Sequence, residues 1–363
     1  MAFGIAPERI LGPLFHPENL MKHHYSLQAL VQATLVGAIL CAFVHFSYAQ
    51  TEFDASGFDK MRVENEAKLS VPDAITEKVW EYMEQNFHKD LSKLLAIDSA
   101  FSSTTAEDIF VDQYYDNDDF QLLEGQSGVR HRTRTVLTDE ENRKNGRELL
   151  QIKLNDINQN ELSRGEVKYP IEHLDKKSEK WDYHPLLGIV EKAYRQDVVD
   201  QLATVKIDAE SLYPTVKITQ NRRRVYVLHK GLPYSTLTLD MVEGEYEGKK
   251  TKFTELELEL NEINYTESDS STRVMMEKTN ALFKDDIMAA FPEIKQDQTP
   301  KYNKAINGLG LKREDLVAAK KSERTMRMAL YAGIGLLAAG GLFWIVRSRT
   351  KGKKQKKTVV ING

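Results

Sequence analysis

Several stretches of this chain alternate, residue by residue, between an apolar side chain and an ionised or polar one. In a strand, residues i and i+2 point to the same face. Glu64, Glu66 and Lys68 therefore share a face, as do Arg130, Arg132 and Arg134. Gln151 and Lys153 oppose Leu150, Ile152 and Leu154, and Arg164, Glu166 and Lys168 oppose Val167, Tyr169 and Ile171. Lys217 opposes Val216 and Ile218, and Glu255, Glu257 and Glu259 oppose Leu256, Leu258 and Leu260. A chain patterned this way folds as an antiparallel sheet with one charged face and one apolar face.

An antiparallel sheet with one face in water gives the same alternation, and that account suffices for any single strand. The set carries the argument. The polar faces are almost wholly ionised, with acids dominating the first and last strands and Lys or Arg the middle ones. If the sheet closes with these faces inward, the charges line a tunnel. Like charges confined there repel unless something compensates them. A polyanion would compensate the Lys/Arg wall. Divalent cations would compensate the carboxylate wall, and hard Mg²⁺ or Mn²⁺ suit carboxylate and phosphate oxygen.

The rest of the body fits an α+β fold. Ala74–Leu95 has helical spacing, with Ile75, Val79, Tyr82, Met83, Phe87, Leu91, Leu94 and Leu95 able to share a face. Strands are expected near Ile109–Asp116, Gly128–Leu137, Glu148–Leu154, Arg164–Ile171, Thr215–Thr219, Arg223–Leu228, Thr236–Glu243 and Thr251–Asn261. Glu172–Thr204 includes a helix. Helical patterns return at Thr272–Phe291 and from Lys312 onward, with Lys301–Gly310 joining them. The expected architecture is an antiparallel β-barrel or tunnel with helices packed outside, followed by a C-terminal transmembrane helix.

Two apolar runs flank this body. The first, Ala29–Phe46, precedes Ser47-Tyr48-Ala49, a small-x-small pattern suited to signal peptidase. With a true start at Met21 it reads as a cleaved signal peptide over residues 1–49; an uncleaved anchor is the alternative. Residues 50–60 form a linker, 61–262 the tunnel domain and 263–327 a helical extension. The second run, Met328–Val346, has 19 residues and no charge, enough to span ~30 Å of hydrocarbon. Arg347–Lys357 then holds seven Lys or Arg and no acid, which places the tail at 347–363 in the cytoplasm and the main domain outside it.

Composition excludes some functions. The chain's net charge is −4 despite the basic tail, so the body is acidic, unlike a generic nucleic-acid binder, and no nucleic-acid partner is expected. The single cysteine, Cys41, lies in the first apolar run, so the body has no disulfide and no thiolate zinc site. There is no Walker loop, GxGxxG or Ser–His–Asp order. Asn264-Tyr265-Thr266 is a glycosylation sequon, relevant in a eukaryotic secretory setting.

The ordered motifs resemble the CYTH superfamily, the triphosphate tunnel metalloenzymes. Glu64-Asn65-Glu66-Ala67-Lys68 is similar to that family's opening ExExK strand. Tyr114-Tyr115-Asp116-Asn117-Asp118 and then Gly128-Val129-Arg130-His131-Arg132 follow in family order. So do Lys153, the Arg164–Lys168 strand, Lys217 through Tyr226, Asp240, and Phe253-Thr254-Glu255-Leu256-Glu257. The resemblance implies that Glu64, Glu66, Glu255 and Glu257 hold Mg²⁺ or Mn²⁺. It implies that Lys68, Arg130, Arg132, Lys153, Lys217, Arg222 and Arg224 hold phosphates, the planar arginine fork taking two oxygens at once. Only alternate residues of Arg222–Arg224 can face inward, and family spacing favours Arg223 or Arg224, so that choice is open. Glu166 or Asp240 would orient the attacking water. The implied activity is metal-dependent hydrolysis of tripolyphosphate or a nucleoside triphosphate. The alternatives are a membrane-anchored module that binds polyphosphate or nucleotide without turnover, and VTC-like polyphosphate synthesis.

Overall fold

The apolar half of each alternating segment decides where its strand lies, because that half must be covered. The structure is a computed structural model that describes residues 62–137, 147–155, 163–171 and 186–354. The expected signal peptide and linker lie outside the described residues. The strands are β1 (Arg62–Val71), β2 (Phe101–Asp116), β3 (Gly128–Val136), β4 (Arg147–Leu154), β5 (Ser163–Pro170), β6 (Tyr213–His229), β7 (Leu232–Tyr246), β8 (Lys249–Leu260) and the two-residue β9 (Lys295–Gln296). The helices are α1 (Thr76–Glu84), α2 (Ser92–Ile97), α3 (Gln121–Glu124), α4 (Arg195–Ala203), α5 (Glu262–Glu267), α6 (Ser270–Ala290), α7 (Lys301–Gly308) and α8 (Arg313–Lys354).

The sheet runs β5-β4-β3-β2-β6-β7-β8-β1-β9, and its described pairings are antiparallel. β1 serves two partners. Its first part, Arg62–Asn65, pairs with β5, and Glu66–Val71 pairs with β8. The sheet thus curls until its ends meet, but along a seam of only those four residues of β1. Tight two-residue hairpins, Lys230-Gly231 and Glu247-Gly248, set the β6–β7 and β7–β8 registers. Both residues of each turn have positive φ, as type I′ turns require.

The outward faces are covered by two helical layers. Leu69, Val71, Val225, Val227, Leu237, Leu239, Leu256 and Leu258 pack with Val79, Met83, Phe87, Phe283 and Ile287. Val129, Leu150, Ile152, Val167 and Tyr169 pack with Val198 and Leu202 of α4. Full burial of each such side chain contributes ~1.5–3 kcal/mol. A third cluster lies differently. Val216, Ile218, Val242 and Tyr114 are capped at one end of the sheet by Tyr302, Ala305 and Ile306 of α7 and Leu316 of α8.

The structure differs from the sequence expectations in several places. The helix expected over Ala74–Leu95 breaks at a π-type turn, Gln85–Lys89, after which Asp90 is extended; the turn still seats Phe87 in the core. Thr215–Thr219 and Arg223–Leu228 belong to one 17-residue strand. Lys301–Gly310, read as a joining segment, is mostly the helix α7. The 42-residue α8 runs through the expected span Met328–Val346. Among the described residues no helix is long and apolar enough to cross a membrane. The side chains of 335–354, where most of that span falls, are outside the described ones.

Close approach of α7 to the sheet depends on two glycines. A Cβ on Gly308 would sit 2.3 Å from Oγ1 and 3.2 Å from Cβ of Thr251, and one on Gly244 would sit 3.0 Å from Cβ of Ala305. Gly308→Ala should therefore lower stability by about 1–3 kcal/mol through overpacking, read as a lower urea midpoint. Adding Thr251→Ala should recover most of that loss; strictly additive losses would mean the two residues do not meet.

Candidate functional site

The inward faces of the strands bring buried charges together. Glu66 and Lys68 of β1, Asp108 and Asp112 of β2, Arg130, Arg132 and Arg134 of β3, and Glu166 of β5 are all buried. So are Arg222 and Arg224 of β6, Asp240 of β7, and Glu255 and Glu257 of β8. Glu66, Lys68, Arg130, Arg132, Glu166, Arg222 and Glu257 of this set line a cavity of about 150 Å³. Seven Lys or Arg line that cavity (Lys68, Arg130, Arg132, Lys153, Lys168, Arg222, Lys301) with five acids (Glu66, Glu166, Glu257, Glu259, Glu262).

Acids and bases interleave rather than segregate. The expectation of opposed acidic and basic walls fails here, chiefly because β2 contributes Asp108 and Asp112. Asp112 accepts hydrogen bonds from Arg132 Nε at 2.7 Å and Nη2 at 2.8 Å, from Arg130 Nη1 at 3.1 Å and from Gln220 Nε2 at 2.6 Å. Asp108 accepts from Arg134 Nη2 at 3.1 Å and Arg224 Nη1 at 2.9 Å. Phe110, between these two acids on the same strand face, is ringed by guanidiniums. Arg132, Arg222, Arg224 and Arg134 lie 4.5, 5.0, 5.2 and 5.7 Å from its ring centre, within cation–π range.

The expected site residues fall into three groups. Lys68, Arg130, Arg132, Lys153 and Arg222 line the cavity, together with Glu66, Glu257 and Glu166. Arg222 and Arg224 face inward, whereas Arg223 faces outward to Glu77 and Glu107, which resolves the strand's parity. Arg224, Asp240 and Glu255 are buried behind the cavity wall instead of on it. Arg224 is only 1% exposed and donates to Asp108 and Tyr226. Asp240 accepts both 2.6 Å hydrogen bonds of a forked contact from Arg222. Lys217 lies outside: it is exposed, opposite Glu245 on β7, because the inward positions of β6 are even-numbered. Glu64 pairs with Arg164 along the backbone seam, but its side chain is outside the described residues.

Residues that sequence reasoning missed sit among these. Lys168, given no site role from the sequence, lines the cavity and meets Glu166 at 2.5 Å, while Lys153 meets the same carboxylate at 3.1 Å. Asp116 is fully buried and caps α3, accepting from the backbone N–H of Asn117, Leu122 and Leu123. Burial pushes its carboxyl up to about 6 despite those bonds. The largest surprise is Lys301 of α7. Its ammonium lies 2.5 Å from Glu257, 2.9 Å from Glu255 and 2.9 Å from Asp240. The spacing of Tyr302, Ala305, Ile306 and Leu309 after Pro300 was the available signal for that helix.

The charges hold one another ionised. Burial alone would raise the Glu66 carboxyl, but Lys68 at 2.8 Å holds it below the ordinary range. Burial would also raise Glu257, but Lys301, Lys68 and Arg222 keep it well below. Lys301 is desolvated, which would lower it, yet Asp240, Glu255 and Glu257 keep it well above the ordinary lysine range.

A family model for the CYTH domain matches residues 84–288, more than half of the chain. The chain belongs to the CYTH-domain family. The match begins within α1 and ends before α7, so it includes neither β1 nor Lys301. A search of curated proteins gave no match. Among solved structures, the PH1819 protein of Pyrococcus horikoshii OT3 is similar at 16% identity, covering 64% of this chain and 92% of that one, with a TM-score of 0.34. The RNA triphosphatase Pct1 of S. pombe is similar at 10% identity, with coverages of 69% and 90% and a TM-score of 0.32. The Hippeastrum protein HpAC1, with a dominant triphosphatase activity, is similar at 18% identity, with coverages of 62% and 88% and a TM-score of 0.27.

Asp112 gives this CYTH tunnel a pH signature. Burial would raise its carboxyl, but Arg130 and Arg132 bring it down to about 2. Because that lies below the unfolded value near 3.9, Asp112 stabilises the fold fully above about pH 4, and that contribution is lost as pH falls toward 2. Its size is about 2 kcal/mol. Asp112→Asn should cost about 3–5 kcal/mol at pH 7 by leaving guanidiniums unpaired, with the deficit narrowing between pH 4 and pH 2 in urea titrations. A deficit that stays constant over that window would show that Asp112 is not the group titrating.

Proposed function

We propose that the tunnel binds the triphosphate end of a phosphoanhydride compound and hydrolyses it. The supporting observation is the charged cavity inside a CYTH sheet, lined by more cations than acids and of a size suited to phosphate groups. Lys153 and Lys168 are the most open of the cations paired to Glu166, with side chains 22% and 14% exposed. Arg130 stands beside them, held by Gln151, Tyr114 and Asp112 in a fixed orientation. Phosphate oxygens entering here compete with Glu166 for the two ammoniums. The carboxylate released in that exchange lies on the cavity wall, where it can accept a proton from an attacking water. Asp240, the other acid expected to orient water, is buried behind the cavity wall, whereas Glu166 lines it, so Glu166 is the stronger candidate.

Triphosphate tunnel enzymes of this family are typically divalent-metal dependent. The donor set offers the hard oxygens such an ion prefers, but the arrangement does not fit one. Glu257, Glu255 and Asp240 each contact Lys301, and Glu66 contacts Lys68. Among the described residues no group of three acidic or histidine side chains is arranged to hold a metal ion. The steps assigned above therefore involve protein groups alone. We also propose that α8 anchors the protein through residues 328–346, with the tunnel outside the cytoplasm, as the basic tail implies.

A second reading, binding without turnover, is favoured by the same lysine-filled carboxylate cluster. The test uses the full-length protein with tripolyphosphate or ATP, in Mg²⁺, Mn²⁺ or EDTA, measuring phosphate release and melting temperature. Release is expected, falling at least tenfold in Lys153→Ala and in Arg130→Ala and staying within twofold in Lys217→Ala. Stabilisation by tripolyphosphate without release would establish the binding module instead. Neither effect would refute both readings.

A further inference from the structure

We propose that Gln151 and Tyr114 bind phosphate oxygens directly, as neutral hydrogen-bond donors on either side of Arg130. The inference rests on the reading of the tunnel as a triphosphate site and adds two residues to that site. The strand registers place Tyr114 of β2 opposite Arg130 of β3, Arg130 opposite Gln151 of β4, and Gln151 opposite Lys168 of β5. All four line the cavity, in one row that crosses strands about 4.8 Å apart. Neutral and cationic side chains alternate along the row. Like charges directly opposite one another are destabilising, so the glutamine separates Arg130 from Lys168 without interrupting the donors.

Arg130 donates from Nε to Gln151 Oε1 at 2.7 Å and from Nη1 to Asp112 and the Tyr114 hydroxyl at 3.1 and 3.0 Å. Its Nη2 makes no hydrogen bond among the described residues. A guanidinium N–H only donates, so the Gln151 atom that faces it is the amide oxygen. Gln151 Nε2, on the other branch, keeps both of its N–H groups uncommitted among the described residues. The Tyr114 hydroxyl accepts from Arg130 and retains its own proton to donate. The acceptors beside these donors are taken: Gln151 Oε1 by Arg130, and the Asp112 oxygens by Arg130, Arg132 and Gln220. Gln151 and Tyr114 are only 3% and 4% exposed, and a buried donor without a partner is costly. A ligand rich in oxygen acceptors satisfies all of them at once, and a phosphate group is such a ligand. The hydroxyl is also held in place beforehand, because the Tyr114 ring stacks on Tyr302 at 5.0 Å and lies so close to Gly128 that a Cβ there would come within 3.2 Å of it.

The test is calorimetric titration of the full-length protein with methylene-bridged tripolyphosphate, which is not hydrolysed. Tyr114→Phe keeps the ring and its stack and removes only the hydroxyl. Gln151→Met keeps the length of the side chain and removes the amide. Each should weaken binding about tenfold, as the loss of a hydrogen bond to a charged group does. Both are then repeated in an Arg130→Lys background, which keeps the charge and loses the guanidinium contacts. Residues that touch phosphate themselves still weaken binding about tenfold there. Residues that only position Arg130 have no effect there, and that result would overturn the proposal. If Gln151→Met does not fold, the Tyr114→Phe pair decides by the same comparison. Wild type that does not bind the analogue would overturn the proposed function and this inference together. Wild-type binding left unchanged by both variants would overturn this inference alone.

Discussion

Ion pairing between neighbouring strands inside the curled sheet is the interaction on which the rest of this structure depends. Lys68 stands opposite Glu257 in the β1–β8 register, Lys153 opposite Glu166 in β4–β5, Asp112 opposite Arg132 in β2–β3 and Arg222 opposite Asp240 in β6–β7. Where the register places acids side by side, as with Asp240 and Glu255, a cation from outside the sheet is supplied by Lys301. A shift of one residue in any strand would turn charges into the helical layers and leucines into the tunnel. Each buried pair gains little over an apolar equivalent, but breaking one costs about 3–5 kcal/mol. The pairs therefore act mainly by penalising other registers, while the apolar outer faces supply the driving force for burial.

This pairing explains how so many arginines can share one interior. Arg132, Arg134, Arg222 and Arg224 crowd around Phe110, yet each is bonded to Asp108, Asp112 or Asp240. The ring adds a quadrupole that attracts cations from several directions. Arg134 and Arg224 are thus framework, whereas Arg130, Arg132, Arg222, Lys153 and Lys168 line the cavity. Position on the charged face of a strand therefore does not by itself make a residue a ligand contact. Depth along the strand decides it, as Arg224 and Arg222 show two residues apart.

The strands with strict alternation were legible because their two faces differ completely in chemistry: β8 reads Glu-Leu-Glu-Leu-Glu-Leu from Glu255 to Leu260. β2 was half hidden. Its first part, Phe101–Asp108, contains Ser and Thr and no run of charges, and its inward face mixes Asp108, Phe110, Asp112 and Tyr114, so no charged-face rule could find it. Lys217 was misplaced because its neighbours Val216 and Ile218 look like the covered outer face. They instead face the interior, where α7 closes the end of the tunnel. Lys301 was missed for a related reason. A helix of two turns after Thr299-Pro300 resembles a linker in sequence, and the acids that need it lie some 45 to 60 residues earlier. Long-range compensation of charge leaves no local pattern to read.

The same compensation governs what binding must overcome. An empty cavity lined by unpaired lysines would bind any anion tightly but would be too costly to fold. Here Lys153 and Lys168 are already satisfied by Glu166, so a phosphate group gains only the difference between its own contacts and the pair it displaces. That difference grows with the number of oxygens presented at once, because several pairs are exchanged for a single loss of translational freedom. Under the proposed function, a chain of linked phosphates would be favoured over a single one on that ground. Glu257 is also tied to elements beyond the cavity. Lys301, Tyr302 and Ile306 belong to one short helix, and Ile306 shares an apolar cluster with Leu316 of α8.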